Sequence, residues 1–228
     1  MKRTLSLISA ILAMLMLASC GGKNNEDETL PEGSDTTVET TETTETTETT
    51  EETDGTAELS YASAEELLVT LMNGYNASAS EETMLYVAGG NSYNFDTVKM
   101  DAPAKFVALA DTDYDENLGY PAADAGKLDD AASMFNMMNV NTFNCAAFHF
   151  ADSSDVDAMV EPLKNNILAR QWICGSPEKL YIVKLPGDYL VMAWGVASSG
   201  GIIDTFGASI AITVPEAEIV VNQAITAE

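Results

Sequence analysis

A single histidine, His149, and three cysteines, Cys20, Cys145 and Cys174, bound the nucleophilic chemistry open to this 228-residue chain. A Ser-His-Asp or Cys-His arrangement would have to use His149. The nearest approach to a nucleophile elbow, Gly207-Ala208-Ser209-Ile210-Ala211, lacks the second glycine of that motif. One histidine without clustered cysteines does not make a zinc site, and Gly200-Gly201 lacks the lysine of a phosphate-binding loop. Asp111, Asp113 and Asp115 stand at alternate positions, as carboxylates do in calcium loops. Glu116 takes the place of the turn glycine, however, and Ala122 that of the bidentate glutamate, so a solvated acidic run is the plainer reading. No catalytic residue is assigned and no cofactor is expected.

The elements that would position these groups follow from hydrophobic spacing. Ser63 with Glu66 three residues later fits a capping box, opening a helix through Leu67, Leu68, Leu71 and Met72 that Gly74 should stop. Thr83 to Ala88 and Lys105 to Ala110 read as short strands. Ala122 to Asn139 reads as a helix with Leu128, Ala131, Ala132, Phe135 and Met138 on one face. Asn141 to Phe150 alternates and reads as a strand, which puts His149 on the face of Phe143, Cys145 and Ala147. A helix over 155–173 carries the stripe Val156, Met159, Val160, Leu163 and Ile167, with Pro162 inside it predicting a kink or a late start. Lys179 to Leu185 and Tyr189 to Trp194 flank Pro186-Gly187, the clearest hairpin in the chain. Ile202 to Val214 fits helix or strand equally, and Pro215 to Ala227 reads as a closing helix. This order predicts an α+β domain with a small antiparallel or mixed sheet. If the strand and the helix after it run antiparallel, Cys145 and Cys174 come close. A bridge there would contribute about 3 kcal/mol, and each thiol equally suits a buried apolar position.

Residues 1–19 have the layout of a secretory signal: Lys2 and Arg3, an uncharged apolar stretch from Leu5 to Leu17, then Ala18 and Ser19. The apolar stretch falls short of the roughly 20 residues that cross a bilayer as a helix. Leu17-Ala18-Ser19-Cys20, followed by Gly21-Gly22, resembles the lipobox of bacterial lipoproteins. The resemblance implies a diacylglycerol on the Cys20 thiol and cleavage that leaves Cys20 as the mature N-terminus. Two acyl chains supply the double signal that stable anchoring needs. The order from Leu128 to Trp194, ending in Gly187-Asp188-Tyr189-Leu190-Val191-Met192, is similar to a family of small lipoproteins from Gram-positive anaerobes, known chiefly as a domain of unknown function. That similarity spans about a third of the chain. It implies the same location and architecture and transfers no catalytic residue.

Residues 20–58 are the lipidated cysteine and a linker, and 59–228 the globular domain. From Val38 to Thr53 the linker is almost wholly Thr and Glu, with Glu39, Glu42, Glu45, Glu48 and Glu51 at a period of three. That period fits neither helix nor strand, so a self-repelling, extended spacer is expected. O-linked sugars on its threonines are the sharper alternative. The chain's formal charge is −26, which excludes nucleic acid as a partner and disfavours lying flat on anionic lipid. The expected location is the extracytoplasmic face of the cell membrane, held by the lipid. The expected role is a non-catalytic module that binds a protein or envelope component. The rival is an exported hydrolase working with carboxylates alone, and a plain envelope spacer is a third possibility. An enzyme should show two convergent carboxylates, one with a raised pKa; a binding module should show an exposed apolar patch. Labelled palmitate is expected to enter the wild-type chain and not a Cys20→Ala variant. Label in that variant, or none in the wild type, contradicts the anchor.

Overall fold

Tyr189-Leu190-Val191-Met192-Ala193-Trp194 is apolar at every position, and a strand of that kind needs cover on both faces. A computed structural model of the protein describes residues 60–81, 83–137, 142–172, 176–197 and 201–226. The signal, Cys20, the linker and Cys174 lie outside the described residues. The elements in chain order are α1 (Ala64–Asn76), β1 (Val87–Gly89), β2 (Lys99–Met100), β3 (Ala104–Lys105), α2 (Thr112–Leu118), β4 (Leu128–Asn136), β5 (Phe143–Phe150), α3 (Ser154–Ala169), β6 (Lys179–Leu185), β7 (Tyr189–Gly195), α4 (Ile202–Thr213) and β8 (Glu218–Ala224), with short 3₁₀ turns at Phe95–Thr97 and Ala122–Lys127.

The strands form one sheet in the order β2-β1-β4-β5-β7-β6-β8, with β3 also on β4. Every ladder is antiparallel. The domain is therefore α+β, built in three layers. Alternation along β7 sends Tyr189, Val191 and Ala193 to one face and Leu190, Met192 and Trp194 to the other. The first face is covered by α1 and α4, through Leu67, Leu71, Ile203, Phe206 and Ile210. The second is covered by α3, through Val156, Met159, Leu163 and Ile167, with Leu118 at the end of α2.

Local signals explain most of these elements. Ser63 Oγ accepts from Glu66 N at 3.1 Å and caps α1, while Glu66 reaches back to Ala62 N at 2.7 Å. Asp130 Oδ2, from the sheet, accepts from Ala64 N at 2.9 Å and adds a second cap. The helix runs past Gly74 to Asn76, because Gly74 is where Thr213 of α4 packs against it and not where the helix stops. The hairpin turn has Gly187 at φ 80° and Asp188 at φ 61°, with Leu185 opposite Tyr189. Helix α3 starts at Ser154 and continues on both sides of Pro162.

Two expectations are corrected. The segment 122–139 is not a helix: a 3₁₀ turn leads into strand β4. Ala131 faces one core and Ala132 and Met134 the other, and a strand apolar on both faces imitates helical spacing. Pro215 to Ala227 is not a helix either; β8 pairs with β6 along the β-branched run Ile219-Val220-Val221. The strands expected at 83–88 and 105–110 shrink to Val87–Gly89 and Ala104–Lys105, and Ile202–Thr213 resolves as helix.

Helix α4 meets the sheet through Gly207, where an added Cβ would lie 2.8 Å from the Tyr181 ring. That ring is 5% exposed, and its hydroxyl donates to Asp204 at 2.8 Å, so it cannot easily retreat. Gly207→Ala should therefore cost about 1–3 kcal/mol in urea unfolding. Gly126→Ala, with nothing within 4 Å of the new Cβ, should lie near wild type. Equal effects from the two would contradict this packing.

Candidate functional site

The second face is helix-covered over β5, β7 and β6, but not at the β2-β1-β4 end. There Ala88 lies opposite both Phe135 and Met100, and Met100 is 61% exposed. Of nine large hydrophobic residues exposed among the described residues, seven lie here: Tyr86, Tyr93, Phe95, Met100, Val107, Leu109 and Met137. Phe95, at 83% exposure, is the extreme. Scattered exposed apolar residues are ordinary; their concentration in two short segments is the signature of a contact surface.

Beside this surface the sheet, α2 and the segment after β1 enclose a recess of about 210 Å³. Its floor is Phe135, Asn144 and Trp194, neighbours across β4, β5 and β7 by strand register. Its wall is held by buried polar ties. Ser133 Oγ accepts from Gly90 N and donates to Gly90 O, each at 2.9 Å. Asn91, wholly buried, donates through Nδ2 to Val107 O at 3.0 Å and to Asp113 Oδ2 at 2.9 Å, and its Oδ1 accepts from Tyr93 N at 2.9 Å. Asn117 Oδ1 accepts from Ser92 N at 3.2 Å. Ties of this kind fix one geometry because each lost partner would strand a buried polar group.

The three aspartates weighed for calcium do not converge. Asp113 turns inward and accepts from Leu109 N at 2.7 Å, from Asn91 and from Ala110 N at 3.4 Å. Asp115 Oδ1 takes Asn166 at 2.8 Å and Arg170 at 3.0 Å. Asp111 is exposed at the start of α2. The run is a helix and not a loop, and no group of three metal-ligating side chains occurs among the described residues.

His149 shares its face with Cys145, as the alternation implied, and its Nδ1 pairs with Asp129 while its ring lies 4.6 Å from that of Tyr189. Burial and the neighbouring Asp130, Asp129 and Glu66 carboxylates push the Tyr189 phenol up to about 12. Cys145 is a buried free thiol whose pKa burial drives upward. Four strand residues put it about 13 Å from His149, so the two form no dyad. Asp129 and Asp130 sit on β4. Asp130 caps α1, with Lys105 Nζ 3.0 Å from its other oxygen but outside hydrogen-bond geometry. Asp152 caps the start of α3 through Ser154 N at 2.9 Å.

Carboxylates with shifted acidity among the described residues are all shifted downward: Glu65 by its bond to Lys99, Asp113 by Leu109 N, Asp152 by Ser154 N and Asp204 by Lys179. Each is held ionised by hydrogen bonds, the opposite of a general acid kept protonated. The recess has a single charged lining residue, Glu116.

In comparisons with protein families, with curated proteins and with solved structures, the chain finds no match. Function therefore has to be argued from this surface. Spacing along the sequence had not singled out the floor residues Phe135, Asn144 and Trp194, because strand pairing alone makes them neighbours.

Asp113 makes a direct prediction. Its folded pKa is depressed, so its stabilisation is complete above the unfolded value of about 3.9 and is lost as pH falls through the lower folded value. Asp113→Asn should lower stability at neutral pH and flatten the acid limb of stability against pH. An acid limb as steep as wild type would show that the carboxylate is not held in this network.

Proposed function

We propose that this is a non-catalytic binding module, carried on a lipidated Cys20 at the extracytoplasmic face of the cell membrane, that docks a protein or envelope component on the apolar surface beside the recess. The observation that carries the reading is the crowding of exposed Tyr, Phe and Met side chains at the β2-β1-β4 end of the sheet, where no residue of β1 or β2 joins the apolar core beneath α3. Aromatic and methionine side chains are enriched in contact surfaces, the aromatics because they bury much area at little entropic cost. The carboxylate hydrolase reading fares worse. The acids whose pKa is shifted are held ionised, and the recess brings one carboxylate, not two. No helix among the described residues is long and apolar enough to cross a membrane.

The test is crosslinking in intact cells of the full chain and of a Tyr93→Ser, Phe95→Ser, Met100→Ser variant. These side chains are exposed, so the variant's melting temperature should stay close to wild type. A reproducible adduct with wild type that disappears in the variant is expected. An unchanged adduct in the variant, or no reproducible adduct with wild type, contradicts the reading.

A further inference from the structure

We infer that the recess beside the apolar surface takes a neutral, hydroxyl-rich ring, a single sugar residue of a glycan. This rests on the reading of that end of the sheet as a binding face, and names the chemistry its recess selects.

Trp194 forms part of the recess floor but is 2% exposed, its indole N–H shut away from solvent, so the polar contacts of a ligand fall to its neighbours. Asn144 stands next to Trp194 across the ladder, and its amide makes no hydrogen bond to a described residue. It offers both donor and acceptor. Glu116 adds an acceptor at the rim, beside Tyr93, whose phenol is pushed above its ordinary pKa by desolvation and then by that carboxylate.

The lining therefore needs a ligand that donates and accepts at closely spaced atoms. Hydroxyl groups do both. Anions are disfavoured, since the recess carries no Lys or Arg and its one charge is negative. Phe135, half-buried, supplies apolar surface for the C–H face of a ring. The closed floor and the volume of about 210 Å³ suit a compact ring better than an extended peptide.

The test is ligand-observed saturation-transfer NMR on the full chain, with methyl glycosides of glucose, galactose and N-acetylglucosamine as probes. N-acetylalanine methylamide and choline serve as peptide and cation probes. Transfer to at least one glycoside is expected, with affinity at least about tenfold weaker in Asn144→Leu. Asn144 is only half-buried, so that variant should fold, and an unchanged melting temperature checks it. No transfer to any glycoside, a signal unchanged in Asn144→Leu, or stronger transfer to the amide or choline overturns the inference. If crosslinks on the apolar surface persist while the glycosides fail, only this inference falls and the docking reading stands.

Discussion

Three adjacent strands, β5, β7 and β6, are apolar on both sides, and a sheet of that kind is stable only when water is excluded from each face. Burying a large apolar side chain is worth about 1.5–3 kcal/mol, and here two rows of them lie on each strand. The helices follow from that requirement. Leu67, Leu71 and Phe206 close one face; Met159, Leu163 and Ile167 close the other. Four helices suffice for the centre of the sheet; α1 also covers Val87 of β1 on the first face, but no residue of β1 or β2, strands two or three residues long, joins the apolar core of the second face. The candidate binding surface is the place where cover runs out.

What keeps that uncovered end in shape is polar. Ser133 clamps Gly90 to the sheet, and Asn91 with Asp113 ties the following loop to α2. On the other face of the same end, Asp130 caps α1 while Glu65 of the same helix accepts from Lys105 N at 3.0 Å on the short strand β3. These contacts substitute side-chain hydrogen bonds for the ladder that such short strands cannot supply. A rim held rigid in this way, presenting exposed apolar side chains, is well suited to binding, since less order has to be gained on association. It does not provide the paired, oppositely tuned acids that hydrolysis would need.

The fold was legible in the sequence where the signal was local. Ser63 with Glu66, the Pro186-Gly187 turn and the stripe from Val156 to Ile167 each specify an element within a few residues. It was illegible where tertiary cover decided the outcome. Ala131, Ala132 and Met134 look helical until both faces of β4 are known to be buried. Ile219-Val220-Val221 follows Pro215, a residue equally at home before a helix, and only pairing with β6 makes it a strand. The site was harder still. Asn144, Phe135 and Trp194 lie on three strands, and nothing in their separate neighbourhoods marks them. Asp113, by contrast, stood in a run that suggested a metal loop, and its part in holding α2 emerges only from its contacts with Leu109 N and Asn91.

On the proposed reading, a lipid keeps the chain at the membrane and the open end of the sheet does the binding. Photo-crosslinking in intact cells tests this most directly, with a photoreactive residue placed in the full chain at either of two positions. One replaces Phe95 on the open end of the sheet; the other replaces Ile212, which is 81% exposed on α4. The account predicts a discrete adduct from position 95 and none from position 212. An adduct from 212 alone, or the same adduct from both, would place the working surface elsewhere and contradict it.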